Sequence, residues 1–397
     1  MLSRRTLVAG LFLGSVLGPA FGQDGEKSSR ASKSVTAPRR FNQRVFSSLV
    51  NSSGKKNVVF SPYSVGTTLD LLTLGADGKT LDLLVKARGV DLEAMTKRPT
   101  VPQIISSLST DELILRLATS VWLRPGVRTR PTFAIAAKAI FDAQVTTADF
   151  TKVTTVDAIN GWVNNSTGGL IQRVVDALDP ETEFVIGNIA YFKGKWSVPF
   201  DKAQTVAGPF MIAGGGVRQV PLMRSTVRAP YLQKDDWHAL ALPYKGDKLD
   251  MVIVTAIDVR DSAAVRKKVL SANFVSSIAV SYFSERSAAV VCPRFKAEFG
   301  IDLTGPLGRL GLQKVFNGRA NFGQITPAPI EDIAVLHRAV VEVNEEGTEA
   351  AAATTVITTR EVSMPVAFNA DRPFAFFIRD RESGDIFFQG YIHDPAS

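Results

Sequence analysis

The chain has 397 residues, 45% of them hydrophobic and 21% charged, with a formal net charge of +8. Such a composition excludes an intrinsically disordered protein, and no dense Lys/Arg stripe marks a nucleic-acid binder. The single cysteine, Cys292, excludes an intrachain disulfide, and its apolar setting VVCPRF points to a buried structural thiol.

The chain begins MLSRRTLVAGLFLGSVLGPAFGQ. A basic start (Arg4, Arg5), an apolar run from Leu7 to Leu17 and the small residues Ala20 and Gly22 predict a cleavable signal peptide over residues 1–22. The arginine pair suits the twin-arginine route, and an ordinary secretory signal has the same parts. Residues 23–38 are polar and are expected to form a disordered tether. Beyond the leader no run of eighteen apolar residues occurs, so no membrane association is expected once the signal is removed. The expected destination is the periplasm or the extracellular space.

Residues 40–51 put Phe41, Val45, Phe46 and Leu49 at helical spacing. NVVFSPYSVGTTLDLLTLGADG reads as a short strand, a Ser-Pro helix start and an apolar helix from Ser64 to Leu74; a further helix is predicted around Thr80 to Arg88. In the middle, strands are predicted at LILRLATSVWL, FVIGNIAYFKGKW, HALALPYKGDKLDMVIVT and SAAVVCPRFKAEF, with KGD and GGG as hairpin turns. A last hairpin is expected in PFAFFIRDRESGDIFFQGYI. Leading helices and long strands without regular alternation indicate an α+β fold.

No enzyme motif is complete. GADGKT, Gly75 to Thr80, has Thr73 where a phosphate-binding loop needs glycine, and reads as a helix–helix turn. His238, His337 and His393 lack the spacing of a zinc site, and no GxSxG elbow exists, so neither metal nor other cofactor is expected. Asn51 and Asn165 match glycosylation acceptors, but in the bacterial exporter that the twin-arginine-like leader suggests they read as plain surface turns.

The informative stretch is VLHRAVVEVNEEGTEAAAATTVITTREVSMPVAFNADRPFAFFIRD. A strand ends in Glu345 and Glu346; Gly347 follows, and then Thr348, Glu349, the alanines Ala350, Ala351, Ala352 and Ala353, and Thr354. By itself the alanine run suits a surface helix, while VITT favours extended chain. A segment so small and polar, with no core-forming period, would lie open to proteolysis.

This stretch resembles the hinge signature of the serpins. NVVFSPYSVGTTLDLLTLGADGKT, GNIAYFKGKW, FNGRANFGQIT and FNADRPFAFFI with FQGYIHDP are similar to four further serpin blocks, in family order from about residue 40 to the end. The resemblance implies one domain over 39–397, with three β-sheets, eight or nine helices and an exposed reactive-centre loop at about 345–366. It implies a protease inhibitor rather than an enzyme, acting as a monomer that traps a target serine protease covalently, with no nucleic-acid partner. A non-inhibitory carrier, chaperone or structural role, or inhibition of cysteine proteases, stands as the alternative.

By the same resemblance Glu346, Gly347, Thr348, Glu349 and Ala350 to Ala353 form the hinge. Ser61, Ser64, Asn188 and His337 match a polar cluster beneath the large sheet, and Trp196 matches the aromatic at its upper opening. As a strand, Thr348, Ala350, Ala352, Thr354, Val356 and Thr358 would share one face, uncharged and small enough to be buried. Counting back from Asn369 puts the scissile bond at Arg360–Glu361; counting forward from Gly347 puts Glu361 before the cut. A cut among Val356 to Thr359 is a third placement. Arg360 is the sole basic residue between Gly347 and Asn369, the single place for a trypsin-like enzyme to cut.

Overall fold

The computed structural model describes residues 27–212, 215–275, 278, 283–318, 320–347 and 364–397. Helix α1 (Lys27–Ser52) turns Phe41, Val45, Phe46 and Leu49 into the core, as their spacing requires. It begins inside the segment read as a tether at 23–38, so helical backbone reaches well upstream of Arg40. No Gly or Pro interrupts Lys27 to Ala37, and the proline inside the helix, Pro38, removes only one intrahelical donor.

Strand β1 (Val58–Phe60) leads into α2 (Pro62–Gly75), whose cap is Ser61: its side chain accepts the Ser64 amide, and Pro62 occupies the first turn. GADGKT is indeed a helix–helix turn, with Gly78 at φ +51° opening α3 (Gly78–Arg88). Next come the short helices α4 (Leu92–Thr96) and α5 (Val101–Leu108), then β2 (Leu113–Leu123). Helix α6 (Pro131–Phe141), β3 (Gln144–Thr147) and α7 (Val153–Thr167) precede β4 (Phe184–Gly194). The strand-dominated reading of this middle region missed α6 and α7.

The second half holds β5 (Val206–Met211), β6 (Val217–Gln233), β7 (Trp237–Pro243), β8 (Leu249–Ala256), helix α8 (Ser262–Val269), β9 (Ser284–Pro293) and β10 (Phe295–Asp302). It ends with β11 (Ile333–Val343), β12 (Val366–Asn369), β13 (Phe374–Asp380) and β14 (Ile386–Ile392). SAAVVCPRFKAEF is two strands, not one. The chain breaks at Pro293–Arg294, where the Arg294 amide bonds the Pro221 carbonyl, and the halves join different sheets.

One sheet has the order β10-β11-β4-β2-β3. The other runs β1-β14-β13-β8-β7-β6-β9-β12, with β5 also on β6. The seventeen-residue β6 carries the join: Val217–Leu222 pairs β5, Leu222–Tyr231 pairs β9, and Tyr231–Gln233 pairs β7. Two of the three sheets implied by the resemblance are thus continuous through one strand. The main core fills the space between the sheets. Trp162 and Val163 of α7 cover the far side of the five-stranded sheet, packing on Ile189, Tyr191 and Val340. Strand β4 is therefore buried on both faces, as its nearly unbroken apolar run demands.

Candidate functional site

The centre of the five-stranded sheet is a parallel pair between two antiparallel ones. Strands β4 and β11 are parallel from Phe184↔Ile333 to Phe192↔Val341, while β2 and β10 run antiparallel to them on the outside. A segment that left the end of β11, turned back and moved between the two would be antiparallel to both neighbours.

Beneath that junction lies a buried polar cluster. Asn188 and His337 are Cα partners, and Thr119 of β2 is the partner of Asn188 on its other side. Ser61 and Ser64 approach from the first turn of α2. The Ser61 amide donates to His337 Nε2 (3.3 Å), so Nδ1 carries the proton and donates to Asn188 Oδ1 (2.7 Å). Ser64 Oγ donates to the same oxygen at 2.8 Å. The Asn188 amide group donates to the Ser64 carbonyl (3.2 Å) and to Thr119 Oγ1 (3.3 Å). Burial pushes His337 down to about 3, so the imidazole is neutral and the cluster carries no charge. The four residues singled out by sequence are thus in one hydrogen-bonded group. Thr119 was missed; its only trace is a Thr-Ser pair inside an otherwise apolar strand.

A second constellation closes the upper end. After β11 the backbone turns at Gly347, at φ +83°, a conformation that favours glycine. A Cβ there would lie 2.2 Å from the Gly194 carbonyl oxygen and 2.4 Å from the Trp196 nitrogen, so no larger residue fits without moving the chain. The Trp196 amide donates to the Glu346 carbonyl (3.1 Å), its indole to the Asn344 carbonyl (2.9 Å), and the Phe200 amide to the Glu345 carbonyl (2.7 Å). Trp196 stacks on Tyr244 with centroids 4.5 Å apart. Glu346 pairs with Lys202, and buried Glu345 lies 3.8 Å from Arg294. Asn344, Phe200, Lys202, Tyr244 and Arg294 were not foreseen, because nothing local in sequence ties them to the hinge.

Thr348, Glu349, Ala350, Ala351, Ala352, Ala353, Arg360 and Glu361 lie outside the described residues, as does the segment read as a signal peptide. Cys292 is buried, which pushes its thiol up to about 12 and keeps it inert. Among the described residues no helix is long and apolar enough to cross a membrane.

Residues 36–395 match the family model described as serpin (serine protease inhibitor). This chain is a serpin. An uncharacterized serpin-like protein of Thermococcus kodakarensis is 32% identical over 391 residues, covering 95% of this chain and 89% of that protein. A leukocyte elastase inhibitor of Bos taurus is 32% identical over 381 residues, covering 90% and 98%. The solved structure of Arabidopsis AtSerpin1 in its native stressed conformation superposes with a TM-score of 0.83 at 25% identity, covering 95% and 100%. The fold is the serpin fold, α+β. Serpins are generally protease inhibitors rather than enzymes, and some relatives of this chain are named as such.

Proposed function

We propose that this serpin inhibits trypsin-like serine endopeptidases as a suicide substrate, with Arg360–Glu361 as the bait bond. The reading rests above all on the parallel β4–β11 junction ending under Gly347, with an uncharged face from Thr348 to Thr358 in the following segment. The protease serine attacks the Arg360 carbonyl, the Glu361 amine departs with a proton, and an ester links enzyme and inhibitor. Residues 348–360 then become a strand between β4 and β11, antiparallel to both, carrying the attached protease roughly 43 Å at about 3.3 Å per residue.

In this reading Gly347 and its neighbours Glu346 and Thr348 to Ala353 are the hinge, and the Trp196 contacts hold its base. The cluster of Ser61, Ser64, Asn188 and His337 is the latch that parts as the new strand enters. Native sheet closure is then a kinetically held state, and cleavage lets the molecule fall to a more stable one. The proposed mature form is an exported monomeric domain over 39–397, free of its leader and of nucleic acid.

Incubation with trypsin followed by denaturing electrophoresis tests this directly. The expected result is an SDS-stable complex, with mass spectrometry placing the new amino terminus at Glu361. Clean cleavage without complex would sink the proposal for this enzyme class. Cleavage without a rise in thermal stability would sink the insertion mechanism itself.

A further inference from the structure

Alternate side chains of β4 and β11 point to opposite faces of the five-stranded sheet. Asn188 and His337 face the start of α2, whereas Ile189, Tyr191 and Val340 face α7. By the same alternation Lys193 and Glu342, near the ends of these strands, lie on the α7 side, and both are half-buried. Burial, and then the Glu342 carboxylate, push the Tyr191 phenol up to about 12, so that negative charge acts on this face. The β4–β11 ladder stops at Phe192↔Val341, one residue short of Lys193 and Glu342. The outer ladders run on, pairing Lys193 with Ile114 and Glu342 with Lys296. One row across four strands therefore reads Lys296, Glu342, Lys193, Ile114. Among the described residues Lys193 has no ion-pair partner, while its neighbour Lys195 lies 3.9 Å from Glu112.

The turn after β11 governs what would enter that row. The Gly347 amide donates to the Asn344 carbonyl at 3.2 Å, which closes a four-residue turn. A strand running back from this turn has Thr348 level with Val343 and Glu349 level with Glu342. This register keeps Thr348, Ala350 and Ala352 on the buried face and puts Glu349 on the outer one. Glu349 is the only charged residue from 348 to 359. It lies outside the described residues, and its place here is that of the inserted strand proposed above. Inserted between β11 and β4, its carboxylate would have Glu342 on one side and Lys193 on the other. Like charges directly opposite destabilise a strand pair, and opposite charges stabilise it by a similar amount. Without the lysine the incoming strand would meet repulsion near its first turn.

We propose that Lys193 is a positioning residue for loop insertion, pairing with the Glu349 carboxylate as the new strand enters between β4 and β11. This inference rests on the inhibitory reading above. Insertion competes with hydrolysis of the ester to the protease, so a strand that enters more slowly leaves more inhibitor cleaved without trapping.

The test titrates the full mature chain against trypsin and reads the inhibitor molecules consumed per enzyme inactivated. Lys193→Glu, which puts like charges on both sides of Glu349, should raise that number about threefold. Adding Glu349→Gln, which creates no new trypsin site, should remove most of the rise. The rise should also shrink at about 0.5 M sodium chloride, where exposed charges are screened. Melting of the uncleaved chains checks folding. Should Lys193→Glu fail to fold, Lys193→Gln takes its place, with a rise of about twofold and the same rescue. No rise, or a rise that persists with Glu349→Gln, overturns the pairing while an SDS-stable complex leaves the inhibitory reading intact. Absence of that complex from the unsubstituted chain overturns both.

Discussion

Asn188 and His337 face each other as Cα partners across the β4–β11 junction and share a 2.7 Å hydrogen bond. Any strand inserted at that junction has to break this bond, so it ties the closed sheet to the chemistry of two side chains. Asn188→Ala should destabilise the closed fold, because it strands the His337 Nδ1–H and the Ser64 hydroxyl in a buried site. The cost is ~1–3 kcal/mol for each stranded group. Urea denaturation of the uncleaved protein measures it, and a change under about half a kcal/mol would show that the cluster closes nothing.

Acid should weaken the same fold. Burial lowers His337 to about 3 and His238 and His393 to about 4, against an ordinary value of 6.5. The folded state prefers the neutral ring, so this stabilisation is fully present above about pH 6.5 and is lost as pH falls toward 3–4. Protonation of His337 also turns Nε2 from acceptor to donor against the Ser61 amide. The urea midpoint should fall steadily below pH 6.5, and less steeply in His337→Gln. An identical slope in the variant would remove His337 from the account.

Gly347→Ala tests the hinge. Its Cβ would overlap the Gly194 carbonyl oxygen, and φ +83° costs any L side chain ~1–2 kcal/mol. The backbone must shift off Trp196, and more of the bait should be cleaved without trapping. The number of inhibitor molecules consumed per trypsin inactivated should rise several-fold; an unchanged ratio would mean that the glycine is dispensable.

Two loop substitutions separate bait from trap. Arg360→Ala should abolish the trypsin complex by removing the cleavage site. Thr354→Glu leaves Arg360 as the only basic residue of the loop but puts a charge on the face to be buried, at a cost of several kcal/mol. That variant should be cut by trypsin at the wild-type rate without forming the SDS-stable complex. Complex formation at wild-type yield would show that this face is never buried.

The long periodic elements were legible from one-dimensional order. The α1 core face, the Ser-Pro start of α2, β2, β4 and the final hairpin each follow from residue spacing or a cap, which act within a few residues. Helices α6 and α7 were not, because their apolar faces become meaningful only against the sheet that covers them. The SAAVVCPRFKAEF run looked like one strand because its break is made by a distant partner, the Pro221 carbonyl.

The opposed pair Asn188 and His337 shows the same division. Residue order alone shows that small residues follow Gly347, with an uncharged alternate face from Thr348 to Thr358, and that His337 stands in an apolar run that ends there. Only the tertiary structure decided that β4 lies directly beside β11 and that Ser61, Ser64 and Thr119 converge on Asn188. The physical reason is range: hydrogen bonds are made at about 3 Å, between residues that the chain itself leaves far apart until the sheet aligns them.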